Sequence, residues 1–466
     1  MSVLQPSSTS LCIQRLLAVA GLTIKTAFRF KLIPWLLLIL TAAVFCIPYL
    51  ITHDGTAEMF AQVQLTYSLM AITLILGIST VWLSCGVMTQ DFERHHIILL
   101  VSKPVTRWEI WTGKWLGIFL LNAALMIISG VCIYTLLMFH ARGLSSDELK
   151  RLQTSTLTSR ASIKETPPDV ESEIEQLYKK RAQDADVAAL DPSFVREKLR
   201  EEVQWLNQLV KPQHRRIWNL DVGSHSVKNA SDALIQLRVK FYASWFEETN
   251  EHPTVWVVGN PDSPARWEKQ LNLSPMTTHE WSVPASLIDT DGILHVECHN
   301  YTESSLVFKV EDGLEVLVED GSFLWNYTKG LVLLLAWMTL LSALGLWAAT
   351  FASLPVATFI ILTLVLIVSS EQLLKSIVVE GTVSSVDEHS GNASWTYLDW
   401  LMVPLFTGVY HFTETLRSLS PIERLVTGRN ISTMAMLQQL ALLCGLLSGL
   451  LAGCGIYIFQ RKELGK

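Results

Sequence analysis

Between residues 87 and 117 the chain reads VMTQDFERHHIILLVSKPVTRWEIWTGKWLG. This stretch holds seven Asp, Glu, Lys and Arg residues, one proline and four Trp or Phe, in a chain that is only 17% charged. Side chains of this kind form ion pairs and helix caps and can grip a partner protein. A second set, His295, Glu297 and His299 in HVECH, alternates along an expected strand and so falls on one face. Three ligands at that spacing could hold copper or zinc. Paired histidines on a strand face are more often plain surface or core residues, and no second ligand cluster accompanies them, so no metal centre is expected. No G-x-x-x-x-G-K-[ST] occurs: Lys114 follows Gly113, but Trp115 comes next. The chain is therefore expected not to be an enzyme, and any energy from ATP must be borrowed.

The elements that hold these residues follow from hydropathy. Of 466 residues, 50% are hydrophobic and the mean hydropathy is +0.33, too apolar for an ordinary soluble protein. A membrane core about 30 Å thick needs roughly 20 apolar residues as a helix. Six segments are expected to span: 34–51, 64–87, 115–139, 330–351, 354–370 and 434–459. They lack Asp, Arg and His, and carry Lys or Glu at most near their ends, which argues against a proton-coupled transporter or an intramembrane protease. The first thirty residues carry no small-residue cleavage site, so a cleaved signal peptide is not expected. Residues 10–31 read as an amphipathic helix along the membrane, or simply as an anchor for the first span.

Lys and Arg set the expected orientation. Arg15, Lys25, Arg29 and Lys31 precede the first span with no acid among them, and the tail QRKELGK is net positive. The insert 141–326 has 20 basic and 30 acidic residues. Both termini and the 89–114 loop are thus expected in the cytoplasm and the insert outside, in a multi-pass protein of the inner (plasma) membrane. The net charge of −7 belongs to the insert and gives no reason to expect nucleic acid as a partner. Of seven cysteines only Cys298 lies in the insert, so no disulfide framework is expected there.

The fold class expected is an α-helical membrane protein with six transmembrane helices and an inserted extracytoplasmic domain. Its organisation is 1–140 with three spans, 141–326 outside, and 327–466 with three more. Within the insert, 145–211 has helical spacing, and Asp191-Pro192 marks a helix start. Residues 216–323 break into short alternating runs bounded by Gly, Pro, Asn and Asp, suggesting an antiparallel β-sandwich of jelly-roll type. Its tryptophans, including Trp245, Trp256, Trp267 and Trp281, suit core packing or, if exposed, carbohydrate. Residues 395–413, YLDWLMVPLFTGVYHF and its flank, read as an external re-entrant hairpin broken at Pro404 and Gly408. A seventh span is the alternative.

Within 89–114, DFERHHIILLV can form a short helix, with Asp91 and Glu93 near its positive end. Lys103-Pro104 stops it, and Thr106 to Glu109 is a capping box that starts a second helix running into the third span. Such an elbow would pass a push from a bound partner into the membrane. A plain connecting loop is the alternative.

The stretch DFERHHIILLVSKPVTRWEIWTGKWLG resembles the loop of type-2 ABC transporter permeases. The branch named for multicopper-enzyme maturation, which includes the nitrous-oxide reductase accessory permease, is the nearest in pattern. The matching residues are Glu93-Arg94, Leu99-Leu100, Ser102, Pro104, Val105, Thr106, Arg107, Gly113 and Lys114. The tail IFQRKELGK and, more loosely, VPLFTGVYHFTETLRSL…VTGRNIS resemble that family's last segments. His95-His96 replaces a small pair common there. The resemblance implies a permease subunit that pairs with a second one, identical or not. It also implies a cytoplasmic ABC ATPase that binds ATP and magnesium on the pair's behalf, and export rather than import. The ATPase contact and its support would come from Asp91, Glu93, Arg94, Lys103, Pro104, Thr106, Arg107, Glu109 and Lys114. The rival reading is ATP-driven movement of the external domain to act on an envelope partner, with no substrate transported.

Overall fold

The computed structural model describes residues 8–29, 32–51, 56–93, 105–166, 170–182, 192–223, 234–243, 251–261, 263, 265–310, 312–370, 374–375, 377–378, 397–417 and 421–462. The chain divides into two compact units. One is Met1–Leu157 with Phe323–Lys466, and the other is Thr158–Ser322. The helices, in chain order, are α1 (Ser8–Arg29), α2 (Leu32–Leu50), α3 (Ala57–Glu93), α4 (Arg107–Ala141), α5 (Ser146–Ser155), α6 (Glu171–Arg181), α7 (Pro192–Gln208), α8 (Phe323–Ala349), α9 (Leu354–Ser369), α10 (Tyr397–Arg417), α11 (Pro421–Val426) and α12 (Thr433–Arg461).

All but α6 and α7 belong to the first unit. On α3, Leu65, Leu69, Ile72 and Leu76 recur every three to four residues and are completely buried, the spacing that puts them on one helix face. They join Leu125, Ile133 and Leu137 of α4 and Leu333, Ala343 and Leu346 of α8 in one core. Where α3 meets α8 the backbones come close. A Cβ on Gly345 would collide with the Ser84 side chain, and Cys85 Sγ lies 3.7 Å from the Gly345 carbonyl.

Helices stand at all six expected segments, but their lengths differ from expectation. Five stretches among the described residues are long and apolar enough to cross a membrane: Leu11–Arg29, Met59–Glu93, Arg107–Ala141, Phe323–Ala349 and Thr433–Arg461. Ile33–Cys46 and Leu354–Ser369 are apolar but shorter. On the N-terminal helix, read from its basic residues as amphipathic, Val19, Ala20 and Ala27 are buried, while the exposed residues mix Ile13, Leu17, Leu22 and Phe28 with Gln14, Lys25 and Arg29.

Residues 397–417 also depart from expectation. Instead of a hairpin broken at Pro404 and Gly408, α10 runs unbroken with Pro404 inside it. A proline removes one intrahelical hydrogen bond and a helix can absorb that loss. Residues 395 and 396 lie outside the described set.

The second unit is rich in β-sheet and wholly antiparallel. Its strands are β1 (Arg160–Lys164), β2 (Leu209–Val210), β3 (Arg215–Asp221), β4 (Leu234–Val239), β5 (Tyr242–Ala243), β6 (His252–Val258), β7 (Trp267–Leu273), β8 (His279–Pro284), β9 (Ile293–Asn300), β10 (Leu306–Val307) and β11 (Leu314–Glu319). They form sheets ordered β1-β11-β4-β8, β3-β9-β6-β7 and β2-β10-β5. Alternate residues of both four-stranded sheets, such as Ile235, Leu237 and Val239 on β4 and Leu294, Val296 and Cys298 on β9, meet in one core. Trp256 lies at its centre, completely buried, stacked on Trp218 at 6.0 Å and edge-on to Trp281 at 5.3 Å. That is the packing use of tryptophan. Trp245 lies outside the described residues.

The unit's limits and helical part need correction. It begins at Thr158 and ends at Ser322, not at 141 and 326, because Leu152 of α5 is buried in the first unit's core. The stretch 145–211 is not all helical, since β1 lies within it and pairs with β11. Arg160 and Lys164 at the ends of β1 disguised a short strand among charges. The helices α6 and α7 are held together by Ile174, Val195, Leu199 and Val203, and by ion pairs Arg181–Glu202, Arg196–Glu175 and Arg200–Glu171 at 2.9–3.2 Å.

Candidate functional site

The start of α4 organises the site. Thr106 has the extended backbone of a helix cap, φ −78° and ψ 154°. Three residues on, the Glu109 carboxylate accepts from the Thr106 N–H at 2.7 Å and from its hydroxyl at 2.8 Å. One otherwise orphaned donor before the first turn is thereby satisfied. The other Glu109 oxygen lies 3.7 Å from the Arg15 guanidinium of α1. One buried carboxylate thus begins α4 and holds α1 beside it.

A turn later, Gly113 and Gly117 form a G-x-x-x-G face. A Cβ at Gly113 would stand 2.7 Å from Val19 Cβ, and one at Gly117 would stand 2.8 Å from the Ala20 carbonyl oxygen. Only residues without a side chain let α1 approach α4 so closely. The glycine of the GK pair is therefore a packing residue.

Lys114 has 2% of its side chain exposed. Its ammonium donates to Asp91 Oδ2 at 2.5 Å and to the Val87 carbonyl at 2.9 Å, and lies 3.7 Å from Met88 Sδ. Asp91 and Val87 belong to the last two turns of α3. A fully buried ammonium needs this number of partners to offset its lost hydration. The pair joins the end of α3 to the second turn of α4, on either side of the intervening segment.

Arg107 turns the other way. One terminal nitrogen donates to the carbonyls of Phe459, Gln460 and Lys462 at 2.5, 2.7 and 3.1 Å. Its guanidinium lies 5.5 Å from the Phe459 ring centroid. The last carbonyls of a helix lack intrahelical donors, and a cation there also meets the negative end of the helix dipole. From the same end of α12, Lys462 donates to the Thr350 carbonyl just beyond α8, at 2.9 Å. Its ammonium sits 3.9 Å from the Phe92 ring, and Phe92 meets Phe459 edge-on at 5.7 Å. The ends of α3, α4, α8 and α12 are joined at one place.

Of the nine residues expected to support a coupling contact, Asp91, Thr106, Arg107, Glu109 and Lys114 come together here. Asp91 and Glu93 close the long helix α3 rather than opening a short one, and Glu93 is exposed. Arg94, Lys103 and Pro104, with the expected short helix and the turn, lie outside the described residues. Arg15, Phe92, Phe459 and Lys462 were not anticipated. Arg15 meets a carboxylate and Phe92 a ring far along the chain, while Lys462 and Phe459 engage through backbone carbonyls, so no local pattern in the sequence marks any of them.

Buried charge inside the helical unit was also missed. Besides Lys114, Lys329 of α8 is buried. It donates to Asn430 Oδ1 at 2.8 Å and to the Ile431 carbonyl. Asn326, three residues earlier, donates to the Arg429 carbonyl and accepts from the Ile431 N–H, both at 2.8 Å. These bonds fasten α8 to the segment between α11 and α12.

His295, Glu297 and His299 do share the outward face of β9. His295 bonds Asn219 Oδ1 at 2.8 Å, and Glu297 lies 3.4 Å from Arg215 and 3.3 Å from His299. Among the described residues, no group of three or more His, Cys, Asp or Glu is arranged to hold a metal ion.

No curated protein and no solved structure matches the chain. Residues 12–157 match the family model described as ABC-2 family transporter protein. The match ends at Leu157, the residue where the first unit breaks off, and it includes Arg15, Asp91, Arg107, Glu109 and Lys114. Together with five membrane-length helices, it supports the ABC-2 type permease family for this chain.

Proposed function

We propose that this chain is the membrane-spanning permease subunit of an ATP-driven exporter. Hydrolysis comes from a separate cytoplasmic ABC ATPase, which holds the ATP and magnesium and docks on the segment 89–114. A second permease subunit completes the assembly. Both termini and the docking segment face the cytoplasm, as the distribution of Lys and Arg favours, six helices cross the inner (plasma) membrane, and the β-rich unit lies outside. That unit is read as a sandwich, because its two four-stranded sheets share one core. The loop motif from Glu93 to Lys114 favours the multicopper-enzyme-maturation branch.

One observation carries the reading. The two sides of the loop are locked by Lys114 and Asp91, and Arg107 fastens the same place to the end of α12. A push on the loop would reach α3, α4 and α12 as a unit instead of being absorbed by a slack connection.

The rival reading is that ATP hydrolysis moves the external unit against an envelope partner without transporting a substrate. It draws support from β11, which leads into α8 after only three residues, a short link for passing force. A variant that abolishes substrate flux but keeps ATP-dependent movement of the unit separates the two. The first test is mass spectrometry of the protein purified gently from its native membrane. The proposal expects a P-loop ATPase in near-equal amount, lost on Arg107→Glu. A chain that carries no ATPase in several detergents would overturn it.

A further inference from the structure

The last long helix, α12, is tied at both ends. Just before its start, Ile431 is held by Asn326 and Lys329 of α8. At its end, the carbonyls of Phe459 and Gln460 are held by Arg107 at the start of α4.

Between these ties the helix is not uniform. Residues Ala441–Leu447 form a π-helical turn, in which an N–H reaches five residues back instead of four. The Ser448 N–H is shared between the carbonyls of Leu443 and Gly445, and the Ser448 hydroxyl donates to the Leu443 carbonyl at 2.7 Å. The buried face of α12 records the same extra residue. It passes from Gln439 to Leu443 in four residues and from Leu443 to Ser448 in five, before reaching Gly455 and Phe459. A uniform α-helix returns to one face after three, four or seven residues. The extra residue sets the register beyond it. A Cβ on Gly455 would stand 2.9 Å from Trp111 Nε1, and Phe459 lies beneath Arg107.

The turn also has room on one side. Gly445, Gly449 and Gly453 are exposed, and among the described residues a Cβ on any of them would meet nothing within 4 Å. Glycine holds a helix less firmly than alanine by about 1 kcal/mol per residue. A uniform helix tied at both ends would drag α8 whenever the start of α4 moved. A turn with longer, shared hydrogen bonds and glycine beside it gives way first.

We propose that the π-helical turn 441–447 is a hinge, at which the second half of α12 swings with the start of α4 while the first half stays fastened to α8. The hinge is a property of α12 itself and stands whether or not an ATPase docks on the segment 89–114.

The test uses the full-length protein in lipid nanodiscs. Leu446 is 57% exposed. Deleting it shortens the step from Leu443 to Ser448 to four residues, so α12 closes as a plain α-helix with its buried face intact. Gly445→Ala stiffens the same turn at unchanged length. Nitroxides on ketone-bearing residues at Leu437 and Tyr457, both exposed, span the turn, about 30 Å apart at 1.5 Å per residue. The same labels at Met59 and Ile78 report a similar length of α3, which has no such turn. Pulsed electron paramagnetic resonance should find the distance distribution across α12 about twice as wide as that across α3. Deleting Leu446 should bring it to the width of α3, and Gly445→Ala should narrow it part of the way. If the deletion prevents folding, Gly445→Ala decides alone. A wild-type α12 no wider than α3, or a width that neither variant reduces, overturns the proposal.

Discussion

Lys114 reaches from α4 back to Asp91 of α3, Nζ to Oδ2 at 2.5 Å, with the ammonium side 2% exposed and the carboxylate side 20%. Two residues on opposite sides of the segment that joins α3 to α4 are thus the closest ion pair of the helical unit among the described residues. The pair is asymmetric: the cation depends on the anion far more than the reverse.

That asymmetry sets the outcome of mutation. Asp91→Asn strands a buried charge and should cost about 3 kcal/mol, toward the low end for a broken buried pair because Asp91 touches solvent. The double change Asp91→Leu with Lys114→Met removes both charges and should recover most of the loss. Thermal unfolding in detergent of the wild type, Asp91→Leu, Lys114→Met and the double variant, with Asp91→Asn alongside, measures this. Equal losses in the single and double variants would show that the pair contributes nothing specific.

Arg107→Ala should free the end of α12. Hydrogen bonds from a charged donor contribute about 1.5–3 kcal/mol each, and these three share one nitrogen. Amide exchange across 457–462 should accelerate at least tenfold while the middle of α4 keeps its protection. Arg107→Lys should fall between, because an ammonium keeps the charge and can still donate but lacks the planar group that lies over the Phe459 ring.

Gly117→Ala should separate α1 from α4, since the new methyl meets the backbone carbonyl of Ala20 at 2.8 Å. Gly113→Ala meets mainly the Val19 side chain, which can shift, so its effect should be smaller. Amide exchange across residues 16–20 of α1 reports the separation: protection should fall most with Gly117→Ala and less with Gly113→Ala.

The β-rich unit should be sensitive to acid through His252. This residue is 9% exposed, and burial holds its imidazole below the usual histidine value. The unfolded chain therefore takes up a proton near pH 6.5 that the folded unit refuses. Stability is complete above that value, falls as pH drops through it, and levels off once the folded state also protonates. The protection factors of the β6 amides, exchange rates corrected for the intrinsic rate at each pH, should fall between pH 7 and pH 5, and His252→Gln should flatten the change.

Elements with strong periodicity could be read from the chain alone. The long apolar helices, the start of α4 at Thr106 and Glu109, and the switch to alternating strands all follow from neighbours within a few residues. What could not be read depends on distant partners. Lys329 stood at the edge of a span and looked like a flank, because Asn430 and the Ile431 carbonyl lie a hundred residues away. β1 owes its existence to β11, so RASIK alone does not declare a strand. Gly113 resembled part of a recognition motif until the close passage of α1 gave it a packing reason. The helix through Pro404 survived because one lost bond is tolerable where the rest of the turn is intact.

The pairing of β1 with β11 has a consequence for how such a chain can change. Arg160 faces Glu319 across the ladder, and the Asp320 N–H bonds the Ser159 carbonyl at 2.7 Å. The first and last residues of the β-rich unit are therefore side by side. The unit is a cassette on a closed neck. It can be excised and Leu157 rejoined to Phe323 by a few residues, or exchanged for another domain with adjacent ends, while the flanking helices keep their sequence. The same geometry lets an ancestral helical chain acquire such a unit in a single insertion.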